Sequence, residues 1–223
     1  MNKFLYLVVA IFSLAFLASC QTLSKEECLS ADWRVIGEQD GASGANPQEK
    51  FRAHAKSCEP TGVRADQTLW NQGYQRGLIR FCTPVNGVSH GENGRPYYNN
   101  CPVAQAGVFS EGYELGRKVH SKRGEINSIK NRIKSIERSI ESKEKRIREG
   151  KIDQREAESR IDSDRRAINE LNRELGRKDA ELGVIKSEAE NFKADYQYYQ
   201  PPLSAAPVSN GSVIAPPSNG SLF

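Results

Sequence analysis

The sequence lacks the short motifs that mark most enzyme active sites. A nucleophile elbow of the form Gly-x-Ser-x-Gly, a zinc-binding helix and a phosphate-binding loop are all missing from its 223 residues. Its three histidines, His54, His90 and His120, have no recognisable catalytic neighbourhood. Four acids could serve a hydrolase as paired carboxylates, but scattered acids are typical of a protein surface: Asp32, Asp40, Glu111 and Glu114. We therefore expect neither a catalytic residue nor a cofactor.

Strong net charge and long hydrophobic segments are scarce as well. Lys and Arg number 32 against 28 Asp and Glu, which leaves a net charge of +4. Because a net charge this small does not suggest nucleic-acid binding, we expect no nucleic-acid partner. The long apolar run at residues 4–17 is shorter than the roughly 20 residues of a membrane-spanning helix.

This apolar run belongs to an N-terminus that is built like a secretory signal peptide. Lys3 precedes the run, and the small residues Ala18 and Ser19 follow it, which gives the three-part layout of such a signal over residues 1–19. A plain signal is cut after small residues and leaves no cysteine behind. Here Cys20 stands at the boundary, so a plain signal does not account for the whole pattern.

The tetrapeptide Leu17-Ala18-Ser19-Cys20 resembles the lipobox of bacterial lipoproteins. The resemblance implies cleavage before Cys20 and acyl chains, palmitate among them, on that residue. Two or more chains hold a protein stably on a bilayer. Gln21 stands where an Asp would imply retention at the inner membrane, so the resemblance implies an outer-membrane anchor facing the periplasm. An ordinary cleaved signal or a transmembrane anchor, with an unrelated cysteine, is the alternative.

Four further cysteines form an even set, which predicts disulfides in an exported protein. Three pairings are possible, and we favour the sequential one, Cys28 with Cys58 and Cys82 with Cys101. The segment between the second pair is rich in Gly, Asn and Pro and needs a crosslink to hold its shape. His54 and Cys58 are spaced like zinc ligands on a helix, but no second close pair of ligands accompanies them. We therefore expect no metal.

Composition divides the mature chain into three regions. Residues 20–117 hold all five cysteines and 12 of the 18 glycines and are predicted to form a disulfide-held domain. Residues 118–196 have no cysteine or proline and are dense in charge. Residues 197–223 are rich in Pro, Ser, Gly and Asn. Because this last segment cannot bury enough apolar surface to offset its ordering entropy, we predict a disordered tail.

Glycines four residues apart recur in the first region. WNQGYQRGL (70–78) and FSEGYELGR (109–117) share an aromatic-x-x-Gly-Tyr-x-x-Gly pattern, and WRVIGEQDG (33–41) is a looser third copy. On a helix this spacing places both glycines on one side, where a neighbour can come close. We interpret the pattern as tight packing of short soluble helices, with a glycan-binding surface of aromatics and exposed backbone as the alternative. The residues are Trp33, Gly37, Gly41, Trp70, Gly73, Tyr74, Gly77, Phe109, Gly112, Tyr113 and Gly116.

Several motifs of this region together resemble a bacterial lipoprotein family that carries the domain of unknown function 2799. They are LSKEECLSADWRVIGEQDGASG, the step from His54 to Cys58, GYQRGLIRFC, GRPYYNNCP and GYELGRKVH, all within residues 20–120. The resemblance implies a cell-envelope lipoprotein. It brings no activity, cofactor or catalytic residue with it.

Hydrophobic residues from Ile126 onward follow the seven-residue repeat of a coiled coil. One core position holds Ile126, Ile133, Ile140, Ile147, Ile161, Ile168, Leu175, Leu182 and Ala189, with Gln154 as the exception. The other holds Ile129, Ile136, Ala157, Leu171, Ile185 and Phe192, with Lys143, Gly150, Asp164 and Lys178 as exceptions.

The middle of this coiled-coil segment carries signals for a turn. Gly150 can end one helix, and Asp153 can cap the next, with Glu156 three residues on. Residues 118–149 carry a net charge of +6 and residues 153–196 a net charge of −3, so each segment favours the other over a copy of itself. We predict an antiparallel hairpin of helices 118–149 and 153–196. The unbroken heptad register across Gly150 favours the alternative, a straight dimeric rod.

The predicted fold class is thus mainly α: a small, disulfide-stabilised, glycine-rich domain of helices and loops, a long antiparallel helical hairpin and a disordered tail. This organisation suits an envelope tether or interaction module of unknown molecular activity, rather than an enzyme. The expected partners are the membrane, through acyl chains on Cys20, and peptidoglycan, an envelope protein or a second copy bound through the coiled coil. A cell-wall hydrolase or a glycan-binding module is the alternative.

Overall fold

The computed structural model describes residues 22–201, and helices account for 79% of this range. No strand occurs within it, and the mainly α fold class is confirmed. The chain divides into two compact units, which in the described range are residues 22–77 and 78–201. The predicted signal peptide, Cys20 and residues 202–223 of the predicted tail lie outside the described residues.

The first unit is built from short helices whose starts are set by side-chain caps. Its elements are α1 (Lys25–Leu29), α2 (Trp33–Ala42), α3 (Pro47–Cys58), the 3-10 turn Glu59–Thr61 and α4 (Gln67–Phe81), whose last turn belongs to the second unit. Ser24 caps α1 in a capping box with Glu27. Asp32 and Asn46 accept the first free amides of α2 and α3.

The second unit contains three helices, two of them long. They are α5 (Pro84–Glu92), α6 (Val103–Arg148) and α7 (Gln154–Asp195). The hydroxyl of Thr83 caps α5 by accepting the amide of Asn86 at 3.2 Å. The end of α7 packs onto α5 and α6, where Ala189 joins Val88 and Val119 in a fully buried cluster.

Both expected disulfides form, one in each unit, so the sequential pairing is confirmed. Cys28 of α1 bonds to Cys58 at the end of α3, and Cys82 bonds to Cys101 across the loop between α5 and α6. Because Cys58 is bonded to Cys28, it cannot hold zinc together with His54. Among residues 22–201 no group of three or more metal-ligating side chains occurs.

The helices α6 and α7 form the predicted antiparallel hairpin. The most deeply buried residues of its seam are Ile126, Ile129, Ala157, Ile161, Leu171 and Ala189. Two of the exceptions to the heptad pattern meet across this seam, where Lys143 Nζ donates to Asp164 Oδ2 at 2.6 Å. The seam is therefore filled within one chain, and the alternative of a straight rod is wrong.

The turn of the hairpin uses the residues that the sequence analysis singled out. Gly150 has a φ of +64° and ends α6 in a Schellman motif, in which the amide of Lys151 donates to a carbonyl one turn back at 2.9 Å. Asp153 Oδ1 accepts the amide of Glu156 at 2.9 Å and caps α7. The Glu156 side chain pairs with Arg160 rather than returning to the cap.

Helix α6 begins at Val103, well before the expected start at residue 118. That prediction placed the start where the composition becomes charged, yet a change of surface charge does not end a helix. No proline lies between residues 103 and 118, and Gly112 and Gly116 lie against the backbone of a neighbouring helix. The expected boundary between a domain at 20–117 and a hairpin at 118–196 therefore falls inside one helix.

Candidate functional site

Helices α2 and α4 pack backbone against backbone in the first unit. A Cβ atom added at Gly73 would overlap the carbonyl group of Arg34, and one added at Gly77 would overlap that of Glu38. The two helices therefore lie closer together than any side chain at these positions would allow. The buried glycines of this contact are Gly37, Gly41, Gly73 and Gly77.

Helices α5 and α6 pack in the same way in the second unit. A Cβ atom at Gly112 would overlap the carbonyl group of Pro84, and one at Gly116 would overlap that of Val88. The buried glycines of this contact are Gly87, Gly91, Gly112 and Gly116.

The two glycine-faced helix pairs repeat one arrangement. The glycines of α5 follow those of α2 by 50 residues (87 − 37 and 91 − 41), and those of α6 follow those of α4 by 39 (112 − 73 and 116 − 77). A tyrosine bond repeats with the same offsets: Tyr74 Oη donates to Ala45 O at 2.6 Å, and Tyr113 Oη donates to Arg95 O at 3.0 Å. Each accepting carbonyl follows a left-handed glycine. The chain thus contains the same helix pair twice, once in each unit.

This repeat corrects the assignment of WRVIGEQDG as a third copy of the aromatic motif. The segment lies on α2 and is the packing partner of the motif on α4. Its structural equivalent is residues 83–91, TPVNGVSHG, which the sequence analysis did not connect with it. A spacing of glycines defines a helix face but does not say which helix covers that face.

The aromatic residues of the motif fill the spaces beside the glycines. Trp33, Trp70, Tyr74, Phe109 and Tyr113 are all buried. The rings of Trp70 and Tyr74 stack with their centroids 4.9 Å apart. Because helix backbone covers the glycines and the rings are buried, these residues do not form the exposed surface that the glycan-binding alternative requires.

A buried polar cluster joins three helices of the first unit. Asp40 Oδ2 accepts hydrogen bonds from His54 Nε2 (2.8 Å) and Trp70 Nε1 (2.9 Å), and Lys50 Nζ lies 3.9 Å from Asp40 Oδ1. His54 Nδ1 is buried and has no hydrogen-bond partner among residues 22–201. Asp40 and His54 are only 6% and 3% exposed, so a substrate cannot reach them. The cluster therefore acts as an internal crosslink of α2, α3 and α4.

The equivalent position in the second helix pair holds His90 instead of Asp40. His90 Nε2 donates to Pro96 O at 2.9 Å, and the ring packs edge-on against Phe81 at 5.2 Å between centroids. Sequence reasoning missed both polar contacts, although each of these polar residues directly precedes a close-packed glycine. A side chain next to such a glycine lies near the helix interface, which is the signal that could have found them.

The four acids considered as paired carboxylates do not come together. Asp32 accepts the amides of Arg34 (2.9 Å) and Val35 (3.2 Å) as the cap of α2. Asp40 is buried in the cluster, while Glu111 and Glu114 are exposed on α6.

The hairpin carries a cluster of four charges that bridges its two helices. Lys122 Nζ lies 2.9 Å from Glu125 Oε2 and 2.8 Å from Glu181 Oε2, and Lys178 Nζ lies 2.9 Å from Glu125 Oε2. Hydrogen bonds from Lys178 and Lys122 lower the pKa of Glu125, and a bond from Lys122 lowers the pKa of Glu181. The same carboxylates, Glu181 first, raise the pKa of Lys122. Lys122, Glu125 and Glu181 are therefore held in their charged forms.

The lipidation site expected at Cys20 lies outside the described residues. Within residues 22–201, no helix combines the length and the apolar character needed to cross a bilayer.

A comparison with known proteins bears on the first half of the chain. Residues 32–118 match the model of a family described as protein of unknown function (DUF2799). The matched segment contains both glycine-faced helix pairs and the Cys82–Cys101 disulfide, and it ends inside α6. No curated protein and no solved structure matches the chain. Residues 32–118 are thus identified as the domain of unknown function DUF2799.

Proposed function

We propose that this chain is a bacterial envelope lipoprotein, held on the periplasmic face of the outer membrane by acyl chains on Cys20. The observation that supports the proposal is the way in which the five cysteines are used. The four cysteines of the described range are consumed in two disulfides, as in proteins of oxidising compartments. Cys20 is left over directly after an apolar run, where the lipobox-like tetrapeptide assigns it to acylation.

The folded part acts in this proposal as an interaction or tether module. The seam of the hairpin is buried within the chain at residues such as Ile129 and Leu171. Peptidoglycan, an envelope protein or a second copy would therefore bind the outward faces of α6 and α7, where exposed charged side chains predominate. The proposal assigns no catalytic residue and no cofactor, since Asp32 is engaged in capping and Asp40 in the buried cluster.

Metabolic labelling tests the anchor directly. The full chain is expressed in a bacterial host fed radioactive palmitate, and the label on the protein is measured after electrophoresis. We expect label on the wild-type chain and none on Cys20→Ala. The double variant Cys28→Ser/Cys58→Ser is the matched control and keeps its label, because those thiols have no part in acylation.

Two results would contradict the proposal. Label that persists on Cys20→Ala would show that the acyl chains are not attached at residue 20. Degradation of peptidoglycan by the purified full chain would replace the interaction role with a hydrolytic one.

A further inference from the structure

One side of α6, outside its seam with α7, carries a long row of basic side chains. Its members are Arg123, Lys130, Lys134, Arg138, Lys145 and Arg148, spaced three, four or seven residues apart. These spacings put them on one face of the helix, and all from Lys130 onward are exposed. The row is about 37 Å long at the 1.5 Å rise of an α-helix. Two carboxylates, Glu137 and Glu141, interrupt it.

Most basic side chains of this row form no ion pair with a carboxylate among the described residues. The bases beside the seam have acidic partners: Lys143 pairs with Asp164, and Lys122 pairs with Glu125 and Glu181. In the row, Lys145 lies 4.0 Å from Glu149. Among residues 22–201, no ion pair joins Lys130, Lys134 or Arg138 to a carboxylate. The acids of the hairpin thus pair mainly with the bases beside its seam and leave Lys130, Lys134 and Arg138 of the row without an ion pair in the described range.

The outward face of α7 differs from that of α6. Arg155, Arg166 and Arg173 are exposed there, but Asp162 and Asn169 lie among them. Further along, this face becomes nearly uncharged, with Ala180, Val184 and Ser187. The opposite charges that favour pairing of the two helices lie beside the seam, as in the bonds of Lys122 to Glu181 and Lys143 to Asp164, so hairpin pairing does not explain the row on α6. The asymmetry therefore points to a partner for α6.

We propose that the outer row of α6 binds the headgroups of an anionic phospholipid bilayer. A row of long basic side chains without an aromatic residue suits a broad anionic surface better than a folded partner or a peptide. Each Lys or Arg near such a surface raises the binding constant about fivefold. The choice of a bilayer rests on the proposed function, which puts the chain at a membrane.

Vesicle binding by the full chain tests this surface. Partition is measured into vesicles of phosphatidylcholine alone and into vesicles that also contain phosphatidylglycerol. One variant carries Lys130→Gln, Lys134→Gln and Arg138→Gln, and the control carries Arg155→Gln, Arg166→Gln and Arg173→Gln on α7. Both lose three positive charges at exposed positions, so their net charges are equal.

We expect the α6 variant to lose the added partition into phosphatidylglycerol vesicles by about tenfold or more, while the α7 control stays near wild type. Equal losses in both variants would show that only net charge matters. No loss in either variant would show that the row of α6 does not bind the bilayer. Each result overturns the inference. Soluble polyglutamate that binds the row as tightly as the vesicles do would overturn it too. Partition into pure phosphatidylcholine reports the acyl anchor separately, so a failure of the lipoprotein proposal is distinguishable.

Discussion

Single glycines have opposite effects at different places in this chain. Gly73 and Gly112 occupy equivalent positions in the two helix pairs, and each lies against the backbone of the partner helix. Gly176 lies on α7, where a Cβ atom would meet nothing within 4 Å. Glycine destabilises an exposed helix because it loses more backbone entropy than alanine, and only close packing offsets that loss.

Alanine substitution separates these two situations. We expect Gly73→Ala and Gly112→Ala each to lower the free energy of unfolding by about 3 kcal/mol, because the added methyl group forces the helices apart. We expect Gly176→Ala to raise it by about 0.5 to 1 kcal/mol. Urea unfolding of the full chain with its disulfides intact measures all three. A stable Gly73→Ala protein would mean that α2 and α4 do not pack through their glycine faces.

At the scale of elements, local sequence signals were sufficient to predict the helical hairpin. The isoleucine heptads, the left-handed Gly150 and the cap at Asp153 each act within a few residues, and all of them lie where the sequence placed them. Non-local features could not be predicted in this way. The start of α6 depends on packing around Gly112, and the pairing of α2 with α4 joins residues about 35 apart in the chain.

The charge cluster of Lys122, Glu125, Lys178 and Glu181 makes the hairpin sensitive to acid. The folded pKa values of Glu125 and Glu181 lie below the ordinary 4.5. The proton affinity of these two carboxylates therefore rises when the protein unfolds. Their contribution to stability is therefore complete above pH 4.5 and is lost as the pH falls through the lowered folded values. Neutral and mildly acidic conditions leave it intact.

Far-UV circular dichroism of thermal unfolding at a series of pH values measures this contribution. We expect the Tm of the wild type to fall below pH 4.5 more steeply than that of Lys122→Gln/Lys178→Gln, since these substitutions remove the cations that lower both carboxyl pKa values. Lys130→Gln/Lys134→Gln is the matched control and keeps the wild-type slope. Parallel curves for wild type and Lys122→Gln/Lys178→Gln would contradict the assigned pairing.

At the scale of the whole molecule, each unit combines one glycine-faced helix pair with one disulfide. The two helices of each pair meet through glycines, so few large side chains are buried directly between them. A crosslink compensates by restricting the unfolded chain. An even set of cysteines after an export-like N-terminus was sufficient to predict disulfides, while the sequential pairing was one of three possibilities and rested on the loop-rich segment between Cys82 and Cys101. Asp40 stands beside the close-packed Gly41, which marks it as near a helix interface, but its partners His54 and Trp70 were not predictable, since they lie on two other helices.

Removal of the disulfides one at a time tests whether each crosslink serves its own unit. Cys28 and Cys58 are 30 residues apart and Cys82 and Cys101 are 19 apart, so chain entropy assigns about 3 kcal/mol to each bond. We expect Cys28→Ser/Cys58→Ser to lose amide hydrogen-exchange protection mainly within residues 22–77, and Cys82→Ser/Cys101→Ser mainly within residues 78–201. The hairpin tip around Gly150 lies far along the chain from both bonds and serves as the internal reference. If either double variant lost protection equally in both ranges, the bonds would not be local crosslinks.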